Sequence, residues 1–204
     1  MAISTYAQLR TAVENWSKRG DIASVIDDFI ALAESDIAMN LKIRDMEARA
    51  TASTNGTRYL ELPDSFLQMR KLRLVLGTES YELSHETPES MDIIAGSGPP
   101  RNFTVTTQLE FDRTPGSTYT AEMQYYKSLT ALSSSNTTNA VLTRFPAVYL
   151  YGCLFHFGLW AHIEERLLLK YSELFDEEMK RANKIDRRGR YGPVPSMRIE
   201  GSTP

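Results

Sequence analysis

From Thr5 to about Leu41, apolar residues recur every three or four positions, the spacing of amphipathic helices. Leu9, Val13 and Trp16 follow Thr5 and Gln8, whose separation is that of a capping box, and Gly20 marks a stop. Asp21 stands where a second helix takes its cap. The stripe of that helix is Ile22, Ile26, Phe29, Ile30, Ala33, Ile37 and Leu41, opposite Asp27, Asp28, Glu34 and Asp36. The pattern predicts a helical hairpin with a short connection.

The period then changes to two. Residues 48–52 and 58–62 flank Thr54-Asn55-Gly56, and Asn-Gly is a strong hairpin cue. Residues 69–76 alternate Arg and Lys with Leu and Val, and 80–84 pair back after Gly77-Thr78. Thr87-Pro88-Glu89 reads as the cap and first turn of a short helix ending near Gly96. Strands near 102–106, 108–112 and 119–126 complete a small antiparallel sheet.

A polar linker, 133–138, returns the chain to helix. Pro146 can open a helix that is apolar almost all round, since 147–163 holds no Asp, Glu, Lys or Arg. A last helix, 164–188, carries the stripe Leu168, Tyr171, Phe175, Met179, Ala182 and Ile185, and spans roughly 35–40 Å. Beyond Gly189 two prolines, Pro193 and Pro195, predict an extended tail. The fold class is therefore α+β. A bundle from the N- and C-terminal helices (1–46 and 131–189) carries an inserted antiparallel β domain (47–130) and an extended arm (190–204). The terminal helices pack around 146–163, because only that packing takes a fully apolar cylinder out of water.

Composition narrows the function. Lys+Arg 23 against Asp+Glu 26 is too balanced for a general nucleic-acid binder, and one cysteine excludes an intrachain disulfide framework. No basic-then-apolar leader opens the chain, so secretion is not expected, and the Asn-x-Thr triplets at Asn55, Asn102 and Asn136 read as turn chemistry. The 17 residues of 147–163 fall short of the roughly 20 that span a bilayer and include His156, so no membrane partner is expected.

Chemistry-bearing clusters are sparse. Cys153 and His156 share a helix face, but in an apolar helix Cys reads as an inert hydrophobe. His162-Ile163-Glu164-Glu165-Arg166 lacks the second His of a zinc motif, and Gly96-Ser97-Gly98-Pro99-Pro100 lacks the Lys of a phosphate loop. Catalytic residues, metal ligands and cofactors are accordingly assigned to no position.

The charge distribution of the last helix is more informative. Residues 164–178 carry six acids against two bases, and 179–190 six bases against one acid, Asp186. The helix macrodipole favours that order. The basic excess is larger than capping requires, however, and it runs straight into the tail. We therefore expect a partner interface at Arg181, Lys184, Arg187, Arg188, Arg190, Tyr191, Val194, Met197 and Ile199, where Arg pairs with carboxylates or phosphates.

Several pieces of the chain resemble, in order, the head-to-tail adaptor (connector) proteins of short-tailed bacteriophages. They are Thr5-Tyr6-Ala7-Gln8-Leu9, Asp28-Phe29-Ile30-Ala31-Leu32-Ala33-Glu34 and Tyr59-Leu60-Glu61-Leu62-Pro63-Asp64-Ser65-Phe66. Met69-Arg70-Lys71-Leu72, the stretch from Leu142-Thr143-Arg144-Phe145-Pro146 to Gly152, and Ala182-Asn183-Lys184-Ile185-Asp186-Arg187-Arg188 complete the set. The resemblance implies a virion protein at the head-tail junction, soluble in the host cytoplasm before assembly. It would form a homo-oligomeric ring, dodecameric in relatives, between the portal protein and the tail nozzle or tail tube protein. Genomic DNA would pass through the lumen without sequence-specific contact, and no catalytic motif is carried over.

On this reading the monomer stays soluble until it docks on a preformed portal ring through 181–190 and the tail. The alternatives are a DNA-binding or regulatory protein using the same basic helix end, and an enzyme such as a virion-borne cell-wall hydrolase.

Overall fold

Helix α1, Tyr6–Ser17, begins where the sequence places its cap. It belongs to a computed structural model that describes residues 3–191, with side chains for 3–188. Thr5 Oγ1 accepts a hydrogen bond from Gln8 N at 3.3 Å, while Gln8 Oε1 accepts from Ser4 N at 2.9 Å, one residue further back than a capping box requires. The helix stops before Gly20. Lys18 takes the left-handed conformation (φ 55) and its N–H closes on Glu14 O.

The second helix, α2 (Ile26–Asn40), starts later than Asp21 predicts. Asp21 is taken by Arg19, whose Nε donates to it at 2.8 Å, and residues 22–25 form a separate turn. Asp27 and Asp28 in the first turn of α2 supply the negative charge a helix N-terminus favours. The predicted stripe is nonetheless buried throughout, from Ile22 to Leu41.

The chain divides into two units, one formed by the segments up to Asp45 and from Leu129 onward, the other by Met46–Ser128. In the first unit a short helix absent from the sequence reading, α3 (Ala140–Arg144), is capped by Asn139, whose Oδ1 accepts from Leu142 N at 2.9 Å. Then comes α4 (Pro146–Trp160), with Pro146 in its first turn, and α5 (Glu165–Tyr191). The predicted end of α4 at residue 163 is corrected to Trp160: His162 is left-handed (φ 49) and Ile163 N bonds Gly158 O, reversing the chain into α5.

Helix α4 packs against α1, α2, α3 and α5. Val148, Tyr149, Leu150, Cys153, Leu154 and Phe157 are buried there. The close approach of two neighbours depends on Gly152. A methyl group added to it would stand 3.0 Å from Ala33 Cβ of α2 and 3.0 Å from Phe175 Cε2 of α5.

One buried polar network crosses this unit. Tyr149 Oη donates to Glu34 Oε1 at 3.0 Å and accepts from Asn139 Nδ2 at 2.6 Å, and Leu132 N donates to Glu34 Oε1 at 2.8 Å. The linker after residue 128 is thereby fastened to α2 and α4. Burial raises the Glu34 carboxyl above the ordinary glutamate range, against the opposing pull of those two hydrogen bonds.

The second unit holds β1 (Glu47–Ser53), β2 (Tyr59–Leu60), β3 (Phe66–Leu76), β4 (Glu79–Glu82), β5 (Ser84–His85), β6 (Ser97–Gly98), β7 (Asn102–Val105), β8 (Leu109–Phe111), β9 (Thr114–Pro115) and β10 (Thr120–Lys127). They form two four-stranded sheets, ordered β1-β10-β3-β4 and β2-β8-β7-β5, with a separate β6-β9 pair. Leu72, Leu74, Ala121, Met123 and Tyr125 from one sheet share a core with Leu60, Phe103, Leu109 and Phe111 from the other. The β3-β4 hairpin forms as read, its two-residue loop opening on Gly77 at φ 61.

Two expectations for this unit fail. The Asn55-Gly56 hairpin does not form: β1 pairs with β10 over seven register positions, a longer partner than β2 offers, and Asn55 Oδ1 instead accepts from Thr57 N at 3.2 Å. The helix after Thr87-Pro88 is a single turn, because exposed Ile93 and Ile94 give it no buried stripe. The sheets are antiparallel as expected, apart from the two short pairings β5-β7 and β6-β9, which run parallel.

Two outcomes are expected. Gly152→Val overpacks the contact of α4 with α2 and α5 and lowers stability by about 1–3 kcal/mol, read as a lower denaturant midpoint at unchanged slope, whereas Gly20→Ala, with open space around it, does not lower it. For Glu34 the folded pKa is raised, so the folded chain holds the proton more tightly than the unfolded one. Its contribution to stability then grows as pH falls from neutrality through the raised folded value, and levels off below the unfolded value. Glu34→Gln keeps an oxygen acceptor and should be at least as stable as the parent at neutral pH, with an advantage that shrinks on acidification in urea melts.

Candidate functional site

Helix α5 has 27 residues, about 40 Å, and its two long faces differ in kind. Toward the helical unit it presents Phe175, Met179 and Ala182, all buried. The predicted stripe ended on Ile185, but Ile185 is 44% exposed and Asp186 turns inward in its place. At roughly 100° per residue Asp186 lies one turn beyond Ala182 on the same face, whereas Ile185 has rotated out of it.

The two polar residues on the inward face are anchors. Asn183 brackets the end of α2: its Nδ2 donates to Asn40 O at 3.2 Å and its Oδ1 accepts from Lys42 N at 3.1 Å. Asp186, 1% exposed, accepts from Arg44 Nε at 3.3 Å and has Arg144 Nη1 at 3.9 Å, while Arg144 also pairs with Asp45. The single acid of the basic stretch thus ties the end of α5 to residues that follow α2 and to α3. Sequence reasoning missed both anchors. Their only signal was an acid isolated among six bases.

With that face occupied, the bases point outward. Arg181, Lys184, Arg187 and Arg188 of the predicted interface are exposed and share one stripe with Lys180. Arg181 also reaches Glu178 Oε1, at 3.1 Å, along the helix. Arg190 and Tyr191 lie within α5, which corrects the extended backbone expected from Arg190 onward; their side chains are outside the described ones. Val194, Met197 and Ile199 lie outside the described residues.

The helix macrodipole does not account for the stripe, because its effect is confined to the last turn, roughly the final four residues. With α5 running to Tyr191, the residues Lys180, Arg181 and Lys184 stand well before that turn. Lys180–Lys184 and Lys184–Arg188 are like-charge pairs at i, i+4, each costing about 0.2–0.5 kcal/mol of helix stability.

The remaining candidates do not assemble into a reactive site. Cys153 is fully buried, which pushes its thiol well above the ordinary range and disfavours the thiolate. His156 Nε2 stands 2.9 Å from Asp36 Oδ2, so its partner is a carboxylate on α2. Among the described residues no group of three or more His, Cys, Asp or Glu side chains is placed to hold a metal ion, and no helix is long and apolar enough to cross a membrane.

If Asp186 is an anchor, Asp186→Ala should cost about 1–3 kcal/mol in denaturant unfolding, since it strips two arginines of their shared acceptor. Lys184→Ala and Arg187→Ala, on the outward face, should change stability by no more than about 0.5 kcal/mol.

A family model described as SU10 adaptor protein matches residues 4–197. No curated protein matches the chain.

Proposed function

The chain belongs to the SU10 adaptor protein family, which makes it a structural adaptor of a bacteriophage virion, and from that premise we propose that it forms a ring joining the portal to the tail nozzle of a short-tailed phage. The ring continues the channel through which DNA leaves the head, and the lumen needs no sequence-specific contact with it. The role is structural: subunits bridge two larger assemblies, and many weak identical contacts add through avidity. Ring formation requires a different patch on each flank of every subunit, with closure set by geometry.

The observation that carries the docking part of this reading is the outward basic stripe on an inwardly anchored helix end. Asn183 and Asp186 hold the terminal turns of α5 against the unit, so Lys180, Arg181, Lys184, Arg187 and Arg188 are presented as a fixed surface. A partner rich in carboxylates would be complementary to this surface. We assign this stripe, with Arg190, Tyr191, Val194, Met197 and Ile199 beyond it, to the portal-facing side.

The triple variant Lys184→Glu, Arg187→Glu, Arg188→Glu, and separately truncation after Gly189, should each leave a folded chain that no longer co-purifies with the portal protein. Capture at the parental level would sink the assignment. Retention on duplex DNA with a steep salt dependence would favour the DNA-binding alternative instead.

A further inference from the structure

The outward face of α5 is divided by sign along its length. Glu173, Asp176 and Glu177 are exposed in the middle of the helix, and Lys180, Arg181, Lys184, Arg187 and Arg188 toward its end. At roughly 100° per residue, all eight of these positions fall within about 140° of the helix circumference. The sign changes between Glu177 and Lys180, and among the described residues two ion pairs use this face in part, Lys170 to Glu173 at 3.7 Å and Glu178 to Arg181 at 3.1 Å.

A surface with an acidic half followed by a basic half is complementary to itself when reversed. Placing a two-fold axis at the level between Glu178 and Met179 sets Glu173 against Lys184 of a second copy, Asp176 on the flank of its Lys180 and Glu177 on the flank of its Arg181, and the axis repeats all three pairs. Lys170 then comes near a like charge, Arg188 on the same flank, and its own Glu173 lies beside it. No parallel, in-register arrangement of two such helices does this, since it sets acid on acid and base on base.

We propose that before assembly two copies of this chain associate through antiparallel α5 helices, Lys180, Arg181 and Lys184 of each covered by the acidic stretch of the other. The contact is isologous, so it closes at two and leaves no complementary patch to recruit a third copy. It rests on the reading of the basic stripe as the portal-facing surface, and adds a regulation to it: the stripe is occupied until a more strongly acidic partner displaces the second copy. Exposed ion pairs are individually weak, so the pair is held loosely and depends on salt.

The test uses the full chain and the measured molar mass in sedimentation equilibrium. At about 0.05 M salt, where the screening length exceeds about 10 Å, the parent should sediment as a dimer at high protein concentration; at about 1 M, where it is about 3 Å, it should sediment as a monomer. An acid-to-base variant (Glu173→Lys, Asp176→Lys, Glu177→Lys) and a base-to-acid variant (Lys180→Glu, Arg181→Glu, Lys184→Glu) should each be monomeric at low salt. Mixed in equal amounts they should recover the dimer, a result that no misfolded variant could give. A parent that is monomeric at low salt, a dimer indifferent to salt, or a mixture that stays monomeric would overturn the proposal. Portal capture separates the two readings. The acid-to-base variant should keep it and the base-to-acid variant should lose it; loss of neither would remove the docking role of the stripe while leaving the dimer intact.

Discussion

A helix that is apolar almost all round has to be covered along most of its surface, and α4 is such a helix. Its cover is drawn from both ends of the chain: α1 and α2 precede the β unit, while α3 and α5 follow it. The contacts that complete the arrangement are correspondingly remote in sequence, with Asn40 and Asn183 143 positions apart and Glu34 and Leu132 98 apart. Closing so long an excursion costs little more than closing a short one, because loop entropy grows only with the logarithm of length. The burial of α4 is therefore compatible with a β unit of any moderate size between its neighbours. Gly152 shows how closely two of them approach, since the position leaves no room for a side chain between Ala33 and Phe175.

The same packing decides which face of α5 is left over. Phe175, Met179 and Ala182 commit one side to the interior, and Asn183 and Asp186 extend that commitment toward the helix end with polar contacts where apolar ones run out. The charged side follows as a geometric consequence. Its charges contribute little to the fold, as surface pairs and like-charge neighbours do, so their arrangement is free to serve contacts outside the chain.

Much of this was legible in the sequence where a single period ran long enough. The stripe of α2 and the β3-β4 hairpin were both readable, because each depends on spacing within one or two adjacent segments. What misled was local chemistry overruled at a distance. Asn55-Gly56 is a good hairpin turn, but β10 offers β1 more pairing than β2 could. Asp21 is a good cap, but Arg19 beside it claims the carboxylate. Thr87-Pro88 opens a turn that no buried stripe prolongs. At the candidate site the basic excess was visible as a count, and its outward direction was not. That direction depends on Asp186 finding Arg44 and Arg144, which lie far from it in sequence.

A charge-divided helix face has two uses that compete. Its field steers association with any surface of the complementary pattern, and at equal concentration the partner with the stronger potential and the larger number of repeated contacts prevails. A second copy offers one reversed α5, whereas the proposed portal ring would offer its docking surface many times. On that proposal a single subunit gains only a modest preference for the portal, and a ring of subunits would gain it at every position at once. The weakness of each exposed ion pair is then an advantage, because a pair held loosely before assembly exchanges its partner without a slow step, and the direction of exchange is set by multiplicity and not by the strength of any one contact.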